Sequence, residues 1–204
     1  MPIHVSEKLK PYLIWLAVTV AIKAISPSFS GLTGSLSSLF TGVILLYTPC
    51  IYYWYRGEKM VFLKGKGILA SLCWFPAVAG ASIALYVAYV KLGGGQFYPE
   101  KFHLLTTSGS MKFWLTSLIV VALPEEFFFR GFLFDRIEGS AQTKIIVTSI
   151  LFSITHIVIG FSLIRFLTFL PGISLGFLRH KTGEVYTPAL LHTLFNLIHW
   201  ASSV

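Results

Sequence analysis

Seven apolar stretches follow one another along the chain, at residues 11–26, 38–55, 68–90, 112–134, 145–161, 163–179 and 185–201. A run of about 17–25 such residues is the length a helix needs to cross a bilayer core of ~30 Å. In lipid the backbone must satisfy its own polar groups, which an α-helix does within one segment. The expected fold is therefore all-α: a polytopic transmembrane helix bundle of about seven spans, with six to eight compatible with the boundaries. It forms a single integral membrane domain over residues 1–204. Composition agrees, with 55% hydrophobic and only 12% charged residues, where a soluble domain carries about 25% charged.

The basic balance has a membrane explanation too. The net charge is +8, yet Lys and Arg are scattered between apolar runs, so no nucleic-acid partner is expected. With seven spans one side receives Lys8, Lys10, Arg56, Lys59, Lys64, Lys66, Arg136, Lys144, Arg179 and Lys181, and the other Lys91, Lys101, Lys112 and Arg165. Cytoplasmic loops are the Lys- and Arg-rich ones. This predicts a cytoplasmic N-terminus, an external C-terminus and residence in the cell (inner) membrane. The start "MPIHVSEKLK" resembles the basic region of a signal peptide, but no A-x-A site follows, so the first run reads as a retained span. Lys23, near its end, is expected to snorkel to the interface. Pro171 and Gly172 lie within the sixth run, which is expected to be tilted or broken. "GGG" at 93–95 and "FYPEKFHLLTTSGS" form the longest loop. Cys50 and Cys73 lie in apolar runs and read as buried thiols rather than a disulfide.

Against this background the polar residues inside the spans stand out. The fourth run contains "PEEFFFRGF", with Glu125, Glu126 and Arg130; the fifth contains His156; the seventh contains His192, Asn196 and His199. A charge at the bilayer centre costs roughly 2.5–3.5 kcal/mol on insertion scales, so such groups mark a polar intramembrane cavity or a pathway. Glu126 and Arg130 are four apart and can pair on one helix face, as a structural ion pair or as support for a site. His192 and Asn196 also share a face. Glu125 lies eleven residues before Arg136, His156 twelve after Lys144, and His192 eleven after Lys181. At about 1.5 Å per residue all three stand roughly 16–18 Å from the same membrane side.

A carboxylate beside an imidazole can take a proton from water. A His and an Asn one turn apart can donate to the oxygen that becomes negative when water attacks a carbonyl. Arg130 would neutralise and orient Glu126, leaving Glu125 free to titrate. His199 reads as an interior hydrogen-bonding residue, Trp54, Tyr55 and Trp200 as interface anchors, and the Phe127–Phe129 run as packing or as the wall of a substrate groove.

The motifs themselves resemble a family. "EEFFFR" fits E-E-x-x-x-R, "FSITH" fits F-x-x-x-H and "HTLFN" fits H-x-x-x-N. In this order on successive apolar segments they resemble the CPBP (Abi) family of type II CAAX prenyl proteases and bacteriocin-processing relatives. "FLPGISLGFLRHKTGEVYTPALLH" is similar to the family segment before the last motif, and the family-like core covers about 112–200. The resemblance implies an eight-helix or similar intramembrane endopeptidase of the glutamate type. By motif position Glu125 and His156 activate water, His192 and Asn196 form the oxyanion site, and Glu126 and Arg130 support the geometry. It implies no cofactor. The substrate would be a membrane-associated protein or peptide: a prenylated CAAX-type tail, a leader peptide or a C-terminal sorting tag.

Two other functions use similar residues. A zinc-dependent membrane hydrolase could take His156, His192 and a glutamate as ligands, although no H-E-x-x-H pair is present and Asn196 suits an oxyanion better than a cation. A non-catalytic proton-coupled transporter or scaffold could use the same buried chain, but transporters usually repeat between halves and no repeat is visible.

Overall fold

The computed structural model describes residues 6–25, 34–89, 91–92, 108–160 and 163–203. The expected loop around "GGG" and most of the polar stretch after it lie outside these residues. Each apolar stretch becomes helix, and no strand occurs among the described residues. We number the helices α1 (Lys10–Ile25), α2 (Gly34–Arg56), α3 (Ile68–Tyr89), α4 (108–136), α5 (Ala141–Gly160), α6 (Phe169–Thr182) and α7 (Tyr186–Ser203). Short 3₁₀ turns at Val61–Leu63 and Leu163–Thr168 precede α3 and α6.

Seven helices are not seven spans by length. Among the described residues the helices long and apolar enough to cross a membrane are three: Leu36–Arg56, Ile68–Ala88 and Ala141–Gly160. The sixth stretch falls shortest. It opens as a 3₁₀ turn, and α6 has 14 residues, about 21 Å at 1.5 Å per residue, against a core of ~30 Å. Pro171 does not break it, because it lies in the first turn, where the missing N–H would have had no partner.

The fourth helix departs from regular geometry where the polar residues lie. It runs as α-helix over Ser108–Thr116, as π-helix over Ser117–Ala122, as α-helix over Leu123–Glu126, as π-helix over Phe127–Leu133, and closes at Phe134–Arg136. Pro124 has no N–H for the carbonyl of Val120, four residues earlier, and the wider π turn absorbs that loss. At the same place α2 comes against α4. A Cβ on Gly42 would lie 2.5 Å from the Val120 carbonyl oxygen, so only glycine permits this approach.

Packing is aromatic on one side and small on the other. Phe127, Phe128, Phe129 and Phe132 are buried with Tyr53 and with Phe62, whose ring meets Phe127 edge-on at 4.9 Å. The Phe127–Phe129 run is thus packing, while Phe129 also reaches a cavity wall. On the other side Gly172 and Gly176 bring α6 onto Ser149 and Ile145 of α5, the close small-residue contact by which helices associate in lipid. The third helix packs on α6 and α7 and leaves much of its surface bare. Cys73 is therefore exposed, not buried as expected, and Cys50 is half-buried; both are free.

Polar clasps hold the helix ends on the side of the α2–α3, α4–α5 and α6–α7 connections. Glu58 accepts from Arg56 Nε at 3.2 Å and from Arg136 Nη2, whose guanidinium also covers the Tyr53 ring at 4.7 Å. Arg179 Nη2 donates to Asp135 Oδ1 at 2.8 Å. The amide of Lys66 donates to the Thr182 carbonyl at 2.6 Å, and Glu184 accepts the first amides of α7, Tyr186 and Thr187.

Candidate active site

The α-helical turn Leu123–Glu126 sits between two π segments, and that turn carries both carboxylates. Glu126 points inward and is fully buried, as is Arg130. Arg130 Nη1 donates to Glu126 Oε1 at 3.2 Å, and Nη2 to the Gly172 carbonyl at 3.2 Å. Gly172 lets that carbonyl come close, since a Cβ there would stand 3.1 Å from Ser149 Cβ and 3.4 Å from Arg130 Nη2. A buried ion pair of this kind is costly to desolvate and depends on such added hydrogen bonds.

Glu126 Oε1 has a second partner from another helix. His192 Nδ1 on α7 donates to it at 2.9 Å. On α5, His156 Nδ1 stands 3.0 Å from the Phe152 carbonyl. A carbonyl can only accept, so His156 carries its proton on Nδ1. In both rings Nδ1 is thereby committed and Nε2 is turned to the remaining carboxylate. Glu125 Oε2 lies 3.8 Å from His156 Nε2 and 3.8 Å from His192 Nε2. That oxygen is buried with no hydrogen-bond partner, although the side chain as a whole keeps 13% of its surface.

Phe152 is what holds the two rings in place. Its centroid is 4.3 Å from that of His156 and 5.7 Å from that of His192, the latter edge-on. The Arg130 guanidinium lies 4.4 Å from the same centroid. The aromatic residue four before the histidine thus touches both imidazoles and the cation. Asn196, one turn along α7 from His192, donates from Nδ2 to Ser117 Oγ at 3.0 Å, which leaves its second amide hydrogen uncommitted.

The structure therefore brings Glu125, Glu126, Arg130, His156 and His192 into one connected cluster, with Asn196 tied to α4 by Ser117. Three contributors escaped the sequence reading: Ser117, the Gly172 carbonyl, and Arg179, whose Nε donates to the Arg130 carbonyl at 2.8 Å. Ser117 and Gly172 carry no charge to mark them, and Arg179 looked like a loop cation. A cavity of about 240 Å³ opens beside Glu125, lined also by His156, Phe129, Thr155, Thr41 and Arg165.

Residues 107–198 match the family model for Rce1-like proteins, described as type II CAAX prenyl endopeptidase. Over these residues, a little under half of the chain, the protein is similar to the CPBP family. The matched segment contains all three motifs, from Glu125 to Asn196, and this similarity points to a membrane protease. No curated protein and no solved structure matches the chain.

Proposed function

We propose that this protein is an intramembrane endopeptidase that cleaves a membrane-associated protein or peptide with water activated by Glu125. The observation that carries the reading is the placement of Glu125 Oε2, unpartnered and 3.8 Å from each of two imidazole Nε2 atoms. With both Nδ1 atoms carrying hydrogen, neutral rings offer only lone pairs at Nε2. Three acceptors then face one another, and a water there can donate to two of them, Glu125 Oε2 and one Nε2. Such a water has its oxygen lone pair free for a carbonyl carbon.

In the reaction Glu125 takes the proton of the attacking water, and His156 fixes the line of approach. The tetrahedral oxygen receives a hydrogen bond from the free amide hydrogen of Asn196, beside the edge of His192. Glu125 then returns its proton to the leaving amine. Glu126, Arg130 and Ser117 hold His192 and Asn196, so little reorganisation is needed as charge develops. The chain would act in the cell membrane with its N-terminus in the cytoplasm. Its substrate would be a CAAX-type prenylated tail, a leader peptide or a C-terminal sorting tag.

The zinc hydrolase is not favoured: among the described residues no group of three or more His, Cys, Asp and Glu side chains is spaced to hold a metal ion. The family match gives no support to a transporter. The test is a single-turnover cleavage of an S-farnesyl CAAX-type peptide in ¹⁸O-labelled water by the reconstituted full chain. Direct attack by water places the label in the product carboxylate in that first turnover. Label found instead in the Glu125 carboxyl would mean an acyl-enzyme route and would overturn the water mechanism.

A further inference from the structure

Arg165 has no place in the chemistry above, yet it lines the same cavity as Glu125 and His156. It belongs to the 3₁₀ turn Leu163–Thr168 between α5 and α6 and is exposed. Glu125 lines the same cavity but lies beyond ion-pair range of Arg165, facing the two imidazoles instead. Among the described residues no carboxylate lies within ion-pair range of Arg165. Its planar fork of five N–H donors is the side chain best shaped to take a carboxylate through two parallel bonds.

The guanidinium is exposed and rests against a glycine. It lies on Gly160, the last residue of α5, where an added Cβ would stand 2.2 Å from Arg165 Cζ and 2.3 Å from Nη1. A side chain there would shift the guanidinium from its place on the end of α5. A guanidinium at the end of a helix can also serve only to complement its carbonyls. That role needs no glycine and no cavity, and among the described residues the Arg165 guanidinium donates to no carbonyl.

We infer that Arg165 is a specificity residue that binds a substrate carboxylate at the mouth of the Glu125 cavity. The inference rests on the endopeptidase reading and names what that site recognises. One end of the substrate is anchored through charge while the scissile carbonyl reaches Glu125, so cleavage falls at a fixed distance from the carboxylate. Two sources supply that chemistry, a free C-terminus and an acidic side chain.

The experiment uses the full chain in nanodiscs and a fluorescent farnesyl-cysteinyl tripeptide in three forms: free acid, C-terminal amide, and amide with aspartate in the last position. Binding is read by anisotropy and cleavage by chromatography, for wild type, Arg165→Gln, Arg165→Lys and Gly160→Ala. The wild type is expected to bind at least one carboxylate form about tenfold or more tighter than the plain amide. Arg165→Gln and Gly160→Ala should erase that preference with an unchanged melting midpoint, and Arg165→Lys should keep part of it. The preferred form identifies the source of the carboxylate. Equal binding of all three forms, binding of none, or a preference that survives Arg165→Gln overturns the inference. Cleavage of all three forms at equal rates overturns it while leaving the endopeptidase intact. A carboxylate preference without any cleavage contradicts the endopeptidase and leaves Arg165 as a binding residue.

Discussion

His192 Nδ1 donates to Glu126 Oε1 at 2.9 Å, and this bond decides which ring nitrogen faces Glu125. The two adjacent glutamates therefore do different work: Glu126 orients an imidazole, and Glu125 faces its other edge. Glu126→Gln should unsettle both His192 and Arg130. Breaking a buried pair by removing one partner costs about 3–5 kcal/mol, and we expect a loss near the lower end because glutamine keeps the shape. Turnover should fall by at least about tenfold through the misplaced histidine. Thermal melts and kcat measured on the same preparation check the two effects together.

Phe152 gives a second prediction, since it touches both imidazoles and the Arg130 guanidinium. Phe152→Leu should cost about 1–3 kcal/mol of stability. It should also lower kcat more than it raises KM, because the rings lose alignment without losing contact with substrate. A variant with full kcat would show that the rings are held by other means.

How much of this was legible beforehand follows from what a sequence encodes locally. Helix positions were, because apolar runs of span length leave the backbone little choice, and α2, α3 and α5 lie close to where they were expected. The shared depth of Glu125, His156 and His192 was legible from helix rise alone, and so was the pairing of Glu126 with Arg130. The bond from His192 Nδ1 to Glu126 was not. It depends on which way each glutamate points from a turn between two π segments, and that follows from Pro124 and from the backbone contact with Gly42. The shortening of α6 was hidden by an apolar run that continues through a 3₁₀ turn. The burial of Cys73 was misjudged because an apolar helix in lipid need not face protein.

At the clasped ends of the bundle, Glu58 supplies a prediction about pH. The hydrogen bond from Arg136 is the largest influence and outweighs the opposing effect of burial; with a lesser contribution from Arg56 it holds the carboxyl below the ordinary glutamate value of 4.5. A carboxylate lowered on folding adds stability that is fully present above the unfolded value and is lost as pH falls through the folded one. The melting midpoint of the wild type should therefore fall as the pH drops from 5 towards 3. Glu58→Gln should start lower at neutral pH and fall less over that interval. Parallel curves for the two proteins would assign the acid sensitivity to other groups.

Metal dependence separates the two hydrolytic readings. Treatment of the purified chain with a strong chelator should leave its peptide cleavage unchanged, and elemental analysis should find no stoichiometric zinc. A zinc site holds its ligands in tetrahedral geometry with about 2.0–2.1 Å to each nitrogen. One zinc per chain, with activity lost on chelation and restored by the metal, would move the assignment to the zinc hydrolase.

The central claim is that Glu125 takes the proton of the attacking water, and Glu125→Gln tests it most directly. The amide keeps the size of the side chain but cannot accept that proton, and Arg130 stays paired with Glu126. The measurement is kcat for cleavage of a reconstituted peptide substrate, with the melting midpoint recorded alongside. The account predicts a fall of at least about a hundredfold with a midpoint equal to or above that of the wild type. Near-normal cleavage by Glu125→Gln would contradict it.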